Sequence, residues 1–266
     1  MAQPIDYGVC RLAIVTVRKE ADQKSEPVTQ LLFGDHYEVT ELSKDQRWAS
    51  IIISSDQSSG WIDRLQHHSI SQEYHQQIGI ANFKITTDIA STMLYKKSQL
   101  TIVLGSIVPI SASELFKMEE QFAFNGETKT LGQRRDFEFL RDMANKYLNA
   151  PHLPGGKSPF GIDASGFVQM AFRLAGYQLP RDTQQQFTHA RPVENIGAAV
   201  PGDLAFFKGK EGKDTRVNHV GIVLDEQKII HCSGRVRIDY LMEEGILSSE
   251  TKVYTHTLAG LRRVIS

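Results

Sequence analysis

The sequence predicts an α+β protein in which small β-barrels precede a domain of helices and an antiparallel sheet. Residues 1–130 contain short alternating runs interrupted by turn residues, a pattern typical of small barrels. After Gly132 the apolar residues recur with helical spacing, and strand-like runs then follow, an order typical of α+β folds. The 266 residues suffice for one large domain or for two to three small ones.

The first barrel is predicted over residues 1–68. Its strand-like runs are apolar or alternating and cover residues 12–17, 31–33, 37–42, 48–53 and 61–65. Gly, Asp and Ser residues separate these runs as turns. Because residues 67–77 are rich in Ser, Gln and His, we expect a linker there rather than part of a core.

Two further domains are predicted after the linker. A second, less regular barrel is expected over residues 78–130, with strand-like runs at residues 93–95, 101–108 and 121–124. The third domain, residues 131–266, begins with a helix at residues 136–148 and a second helix at residues 166–175, which ends at Gly176. Its strand-like runs cover residues 203–208, 219–224, 229–232, 236–240 and 260–264.

Composition and charge exclude several classes of protein. With 41% hydrophobic and 23% charged residues, the chain is neither disordered nor collagen-like, and its net charge of −1 argues against a nucleic-acid-binding protein. Residues 1–130 carry 12 basic and 16 acidic residues, whereas the remainder carries 18 and 15, which favours the C-terminal part as the host of an anionic ligand. Only Cys10 and Cys232 are present, too few for a disulfide scaffold or a Cys-rich zinc site.

Hydropathy predicts no membrane-spanning segment. The longest apolar runs, residues 12–17 and 101–110, are well short of the roughly 20 residues that a spanning helix needs. The N-terminal residues lack the basic start and apolar stretch of a secretory signal. We therefore expect a cytoplasmic protein, or a periplasmic or secreted one if a signal peptide has been removed, and a monomer that binds neither nucleic acid nor membranes.

Three segments of the third domain contain candidate functional residues. Residues 161–166 read Gly-Ile-Asp-Ala-Ser-Gly at the start of an apolar helix, which Asp163 and Ser165 are able to cap. His219 begins a buried strand and His231 ends the next one, twelve residues later, so a hairpin would bring the two imidazoles close together. A single histidine at a strand end is more often structural, and only the combination points to a functional site.

Five motifs in order give the third domain a resemblance to the NlpC/P60 family of cysteine peptidases. Residues 161–167 read Gly-Ile-Asp-Ala-Ser-Gly-Phe, residues 179–182 Leu-Pro-Arg-Asp, residues 201–207 Pro-Gly-Asp-Leu-Ala-Phe-Phe, residues 219–222 His-Val-Gly-Ile, and residues 230–238 Ile-His-Cys-Ser-Gly-Arg-Val-Arg-Ile. Through Trp48, Gly60 and Trp61, the first half resembles the bacterial SH3 barrels of the murein-peptide recycling branch. The resemblance implies a papain-like NlpC/P60 catalytic domain behind two SH3-like barrels.

The resemblance places the nucleophilic cysteine of the family at Ala164. It implies that His219 is the general base that activates the thiol and that His231 orients the imidazole of His219. A methyl group cannot attack a carbonyl, so the sequence describes a complete site without its nucleophile. Two explanations remain open: an engineered Cys-to-Ala change, which the matching residues around the site favour, or a natural pseudoenzyme that binds cell-wall peptides without cleaving them.

Neither cysteine of the chain is expected to replace the missing thiol. Neighbouring residues of a strand point to opposite faces, so Cys232 turns away from His219 if His231 turns toward it. We therefore predict that Cys232 is a small buried residue. Cys10 lies in a different domain and is also predicted to belong to a core.

The resemblance implies a substrate, a murein tripeptide or tetrapeptide with a free N-terminal L-Ala. The bond cut would join γ-D-Glu to the diamino acid, diaminopimelate or Lys. Asp163 and Ser165 would receive the ammonium group of L-Ala, and Glu26 in the first barrel resembles the acidic residue that closes this pocket. Acyl transfer to an amine instead of water ranks third, behind hydrolysis and binding alone.

Further residues are assigned by position within the motifs. Thr183 would hydrogen-bond the D-Glu carboxylate, and His152 offers a ring nitrogen where the family has a tyrosine hydroxyl. Arg181 is a candidate partner for an anion, but an arginine in this loop is as often part of a structural ion pair with a neighbouring acid, so it is not assigned as a ligand. The resemblance implies no cofactor, and His219 and His231 lack a third ligand at a spacing typical of zinc sites.

Overall fold

The computed structural model describes residues 3–78, 83–109, 116–117, 122–209 and 216–265. The chain divides into two compact units: unit 1 comprises Met1–Gln133 and Pro154–Pro159, and unit 2 comprises Arg134–Leu153 and Phe160–Ser266. The chain therefore leaves unit 2 after Leu153, contributes six residues to unit 1 and returns at Phe160. None of the helices in the described ranges is both long and apolar enough to cross a membrane.

Seven antiparallel strands form the first sheet of unit 1. They are β1 (Asp6–Val9), β2 (Ile14–Arg18), β3 (Pro27–Leu32), β4 (His36–Leu42), β5 (Trp48–Ile53), β6 (Ser59–Asp63) and β7 (Ser69–Ile70), in the order β3-β2-β6-β5-β4-β1-β7. Alternate residues such as Val15, Val17 and Ile51 lie in one buried core. Strands β2 to β6 confirm the five strands that the alternating pattern predicts.

The linker predicted over residues 67–77 is wrong. This segment contains strand β7, which pairs with β1, and most of helix α1 (Gln72–Ile78). Ile70, Tyr74 and Ile78 lie in one hydrophobic cluster with Val9. Tyr74 and Ile78 are four residues apart and share one face of α1, and burying this apolar face outweighs the polar composition on which the linker prediction depended.

The remaining strands up to residue 133 belong to two small antiparallel sheets. They are β8 (Lys84–Thr86), β9 (Ala90–Tyr95), β10 (Ser98–Val103), β11 (Ile107–Val108), β12 (Phe116–Lys117), β13 (Phe122–Phe124) and β14 (Thr128–Thr130), in the orders β10-β9-β13-β12 and β11-β8-β14. Phe33, which follows β3, is buried in their core with Met93 and Phe122. Gln121, where the last predicted strand of this region begins, lies outside the described residues.

Two backbone features join the parts of unit 1. Gly34 has a φ of +84°, and a Cβ at this position would lie 2.1 Å from the carbonyl oxygen of Ile107, so only glycine fits. Residues 154–159, which belong to unit 1 although they lie between two segments of unit 2 in the sequence, include strand β15 (Lys157–Ser158). The backbone N–H of Lys157 donates to Oε1 of Gln30, and its Nζ lies 3.8 Å from Oδ2 of Asp35, with both charged side chains 1% exposed.

Unit 2 contains three helices and eight strands in its described residues. They are α2 (Phe137–Asn145), α3 (Ala164–Leu174), α4 (Thr183–His189), β16 (Gly161–Ile162), β17 (Arg191–Val193), β18 (Leu204–Gly209), β19 (His219–Val223), β20 (Lys228–Ser233), β21 (Arg235–Met242), β22 (Gly245–Leu247) and β23 (Tyr254–Arg263). Both predicted helices and all five predicted strands of this region are confirmed. The helices begin after Asp136, Asp163 and Asp182, whose side chains each accept a hydrogen bond from a backbone N–H of the first turn.

Six strands of unit 2 close into a ring. The sheet runs β17-β23-β18-β19-β20-β21-β22, and β22 pairs with β23 as well as with β21. The sequence predicts the antiparallel strands but not this closure, which depends on the three-residue strand β22. Phe207, Ile229 and Leu241 form part of one apolar cluster of this sheet. Helix α3 packs against β19 and β20, the two strands that carry His219 and His231.

Candidate active site

Position 164 is the first residue of α3. The preceding Asp163 has an extended backbone, and its Oδ1 accepts a hydrogen bond from the backbone N–H of Gly166 over 2.8 Å, which caps the helix as predicted. Ala164 is 8% exposed. The free N–H groups and the dipole at a helix N-terminus favour negative charge, which is the state of an attacking thiolate.

Arg181 bonds both residues that flank position 164. Its Nη2 lies 2.6 Å from Oδ2 of Asp163, and its Nη1 donates to Oγ of Ser165 over 2.7 Å. Arg181 therefore forms a structural ion pair, one of the two roles considered for it from the sequence. Nε2 of Gln186 in α4 donates to the carbonyl oxygen of Ser165 over 3.0 Å. The structure thus brings Asp163 and Ser165 together around a buried guanidinium group.

His219, His231 and Asp239 form a buried hydrogen-bonded series, called here the His–His–Asp network. Nε2 of His219 lies 2.8 Å from Nδ1 of His231, and Nε2 of His231 lies 3.0 Å from Oδ2 of Asp239. The three residues are 7%, 0% and 3% exposed. The two predicted histidines therefore meet, as the hairpin spacing indicates, and Asp239 is a member of the site that the sequence motifs did not single out.

Strand register explains why these side chains meet. Gly221 of β19 lies opposite His231, and Ile229 of β20 lies opposite Asp239. Each member of the His–His–Asp network is therefore diagonal to the next on neighbouring strands, and diagonal neighbours share a face of the sheet. Ile229, on that face, belongs to the apolar cluster of the ring, so the network borders a region of low polarity.

Burial and neighbouring charges shift the pKa values of the network in opposite directions. Burial raises the pKa of the Asp239 carboxyl, but hydrogen bonds from His231, Ser249 and Arg237 prevail and hold it well below its usual range. Burial lowers the pKa of the His219 imidazole well below its ordinary value, and the nearby imidazoles of His231, His256 and His152 lower it further. Asp239 is therefore an anion at neutral pH, and His219 is neutral.

His256 is a second residue that the sequence motifs did not single out. Its ring stacks on that of His219, with centroids 4.1 Å apart and planes at 20°. Burial lowers the pKa of His256 to about 4. Its signal in the sequence is weak, because a polar residue in a half-exposed strand is ordinary. Only the pairing of β23 with β18 and β22 places His256 beside His219.

The other predicted substrate-binding residues lie in three places. Thr183 is the first residue of α4, the helix whose Gln186 bonds Ser165. The side chain of His152 is exposed, and its backbone N–H donates to the carbonyl oxygen of Gly234 over 2.9 Å. Glu26 is exposed in unit 1, where its carbonyl oxygen accepts a hydrogen bond from the backbone N–H of Lys19.

Both cysteines are buried, as predicted. The thiol of Cys232 donates to the carbonyl oxygen of Ile162 over 3.1 Å, on the opposite face of β20 from His231. Cys10 lies in the core of the first sheet. Burial raises the pKa of each thiol to about 12, so neither is a thiolate at neutral pH.

His219 lies on β19, one of the strands against which α3 packs. Because Nε2 of His219 is bonded to His231, Nδ1 is the ring nitrogen that remains to accept a proton. Ala164 supplies no proton and no nucleophile. Across the described ranges, no three His, Cys, Asp or Glu side chains are arranged to hold a metal ion.

Comparison with protein families assigns two parts of the chain. Residues 149–255 match the NlpC/P60 family, and residues 17–65 match the bacterial dipeptidyl-peptidase SH3 domain. The first match contains Ala164 and every member of the His–His–Asp network. The second covers strands β3 to β6 and the last two residues of β2.

Similar proteins extend over nearly the whole chain. A gamma-D-glutamyl-L-lysine dipeptidyl-peptidase of Bacillus subtilis is 28% identical over 90% of this chain and 81% of its own length. Dipeptidyl-peptidase 6 of Lysinibacillus sphaericus is 25% identical over 91% of this chain and 94% of its own length. The crystal structure of an NlpC/P60 family protein from Bacillus cereus has the same fold, with a TM-score of 0.81 at 18% identity over 98% of this chain and 100% of that one.

Proposed function

This chain contains an NlpC/P60 domain preceded by a bacterial SH3 domain, and from that premise we propose that it is a cysteine peptidase of murein peptides with alanine at its nucleophile position. The bond cut by the form with a cysteine there would join γ-D-Glu to the diamino acid, Lys or diaminopimelate, in peptides that begin with a free L-Ala. The names of the relatives that align over 90% and 89% of this chain, gamma-D-glutamyl-L-lysine dipeptidyl-peptidases, support this substrate class.

The position of Ala164 is the observation that carries the proposal. It is the first residue of a capped helix that packs against the strands of His219 and His231. A cysteine at a helix N-terminus beside an imidazole has a lowered pKa and is a strong nucleophile. His219 and His231 are the residues proposed as base and orienting group, whereas the methyl group of Ala164 cannot act as a nucleophile.

The reaction would follow from this geometry once a thiol is present. Nδ1 of His219 would take the thiol proton, and the thiolate would attack the carbonyl carbon of the γ-D-Glu amide. Backbone N–H groups at the start of α3 would donate to the oxyanion of the tetrahedral intermediate. His219 would return the proton to the departing amine of the diamino acid, and water would then hydrolyse the thioester.

We assign the free amine of the substrate to Asp163 and Ser165. A carboxylate has about four acceptor sites, so Asp163 can bond an ammonium group in addition to Gly166 and Arg181. Thr183 is proposed to hydrogen-bond the D-Glu carboxylate, and His152 to offer a ring nitrogen to the substrate. Glu26 remains a proposed substrate-binding residue.

A binding protein without activity is the second candidate function, and Ala164 itself favours it. A natural alanine at this position would leave a cleft that holds wall peptides without cutting them. This candidate predicts tight binding of the tripeptide by the chain as it stands. It also predicts that restoring a thiol produces no hydrolysis, because the rest of the site would have lost its catalytic geometry.

The deciding experiment is the Ala164→Cys variant with L-Ala-γ-D-Glu-L-Lys and its diaminopimelate counterpart. We expect release of the free diamino acid, detected by mass spectrometry, and no release when the α-amine of L-Ala is acetylated. Ala164→Ser is the matched control, because a hydroxyl of similar size is a much weaker nucleophile without a strong base. An inactive Ala164→Cys variant that still binds the tripeptide in calorimetry would establish the binding protein instead.

Product analysis separates hydrolysis from acyl transfer. With an added amine as acceptor, a transferase would yield the L-Ala-γ-D-Glu amide of that amine, whereas a hydrolase would yield mainly the free dipeptide. We expect the free dipeptide. The double variant Ala164→Cys/His219→Ala should lose activity in either case, because no base remains to take the thiol proton.

A further inference from the structure

The hydrogen bonds around Asp239 give this residue a role of its own. We propose that Asp239 is a positioning residue that fixes which nitrogens of His231 and His219 carry protons, so that Nδ1 of His219 is left as a base. This inference rests on the proposed function for its catalytic meaning, but the protonation pattern itself is a property of the folded chain. The first step is to determine the state of the carboxylate.

Asp239 is surrounded by donors. Its Oδ1 accepts hydrogen bonds from the backbone N–H of Ser249 and from Oγ of Ser249, both over 2.8 Å, and from Nη2 of Arg237 over 3.0 Å. Its Oδ2 lies 3.0 Å from Nε of Arg237 and 3.0 Å from Nε2 of His231. A carboxylate that receives a backbone N–H and a guanidinium at 3% exposure is ionised, and an ionised carboxylate can only accept.

The state of Asp239 determines the proton positions in the two rings. Because Asp239 accepts, Nε2 of His231 must carry a proton and donate it. In a neutral ring the other nitrogen, Nδ1, is then an acceptor, so the bond to His219 must be donated by Nε2 of His219. The second nitrogen of His219, Nδ1, is therefore unprotonated and able to take a proton.

A pair of histidines alone would not determine this order. If Nδ1 of His231 donated to Nε2 of His219, the proton of His219 would lie on Nδ1, and that nitrogen could not act as a base. Both arrangements satisfy the 2.8 Å bond between the rings equally well. When His231 is neutral, Asp239 excludes the second arrangement, because that arrangement would leave Nε2 of His231 as an acceptor facing a carboxylate.

Other groups around the network do not impose the same choice. His256 stacks on the face of the His219 ring, and His152 acts on His219 only through its charge. Arg237 and Ser249 bond Asp239 rather than either imidazole. Glu250 lies on the far side of Arg237, with its Oε2 3.2 Å from Nη1. Asp239 is thus the carboxylate that is in direct contact with the histidine pair.

The test begins with the chain as it stands, labelled with ¹⁵N at histidine. Long-range ¹H–¹⁵N correlation spectra distinguish the two neutral tautomers of each ring. At neutral pH we expect the proton of both His231 and His219 on Nε2. A proton on Nδ1 of His219 would overturn the proposal, and this measurement requires neither a variant nor activity.

The Asp239→Asn variant then tests whether Asp239 causes this protonation pattern. The amide oxygen is expected to face the donors of Ser249 and Arg237, which turns the amide N–H₂ toward His231 and reverses both tautomers. Spectra that still place the proton of His219 on Nε2 in a folded Asp239→Asn variant would also overturn the proposal. Asp225→Asn, which removes a carboxylate in the turn between β19 and β20, is the matched control and should leave the tautomers unchanged.

Kinetics in the Ala164→Cys background complete the test. Asp239→Asn should lower kcat by a factor on the order of 10² to 10⁴ while leaving KM nearly unchanged, as expected when the tautomer of a general base is wrong. If Ala164→Cys is itself inactive, the proposed function fails while the spectra still decide the tautomers. If it is active and Asp239→Asn retains full kcat, the positioning role fails alone.

Discussion

Oδ2 of Asp163 and Nη2 of Arg181 lie 2.6 Å apart, so the residue that caps α3 is also one half of an ion pair. The two roles use different oxygens, since Oδ1 accepts from Gly166. The residue before position 164 is therefore held from two sides, by the first turn of α3 and by Arg181 in the loop before α4. Such fixation favours a nucleophile whose direction of attack does not vary.

Because Asp163 has two roles, removing it should lower the free energy of unfolding more than removing the cap of another helix. Asp136→Ala, at the start of α2, removes a cap and should lower the free energy of unfolding by about 1 kcal/mol. Asp163→Ala should cost about 1 to 3 kcal/mol more, because Arg181 also loses its carboxylate at a buried site. Urea unfolding measures both. Equal losses for the two variants would show that the ion pair contributes nothing.

The buried pair of Lys157 and Asp35 in unit 1 predicts a large loss of stability. Lys157→Met removes a buried cation that lies 3.8 Å from the carboxylate of Asp35 and should lower the free energy of unfolding by about 3 kcal/mol or more. Lys228→Met is the matched control, because the Lys228–Glu226 pair is exposed and should contribute little. The double variant Asp35→Asn/Lys157→Met should regain part of the loss. A single variant as stable as the parent would contradict the assignment.

His256 predicts a loss of stability in weak acid. Its pKa is lowered from about 6.5 in the unfolded chain to about 4 in the folded one, so between these values the unfolded state binds more protons. Its stabilising contribution is complete above about pH 6.5 and is lost as the pH falls toward about 4. His256→Phe keeps a ring against His219 and should show a smaller decrease of unfolding free energy over this range. Parallel pH profiles for parent and variant would refute the shift.

Sequence periodicity and motif spacing predict much of the fold of unit 2 and the core of its site. The separation of twelve positions between His219 and His231 suffices to predict that the two rings meet, because the two strands of a hairpin lie side by side. The cap at Asp163 also follows from local sequence, since a helix needs an acceptor at its first turn. These features depend on residues that are near in sequence or on directly paired strands.

Features that depend on closure and register could not be predicted in the same way. Asp239 is eight residues from His231, but only the register of β20 with β21 reveals that the two share a face. His256 meets His219 because β22 closes the ring, and a three-residue strand gives almost no signal in sequence. The linker prediction failed for a similar reason. The polar composition of the segment does not indicate that Tyr74 and Ile78 of α1 pack in a hydrophobic cluster.

The two cysteines provide a prediction that is independent of substrate. Because both thiols are buried with pKa values raised to about 12, the folded chain should react with a disulfide reagent only slowly, and two thiols should react after unfolding. Ala164→Cys should add one thiol that reacts rapidly in the folded protein. Ala171→Cys, on the same helix but fully buried, is the control and should add none. A slow thiol at position 164 would argue against an activated nucleophile.

The six residues 154–159 belong to unit 1 although the chain on both sides of them belongs to unit 2. Two units with this connectivity cannot be separated by a single cut, because a fragment that ends at residue 133 lacks Lys157 and leaves Asp35 buried without it. Recombination between relatives is restricted in the same way. An exchanged N-terminal unit must bring its own version of residues 154–159 if the contact between Lys157 and Asp35 is to be kept.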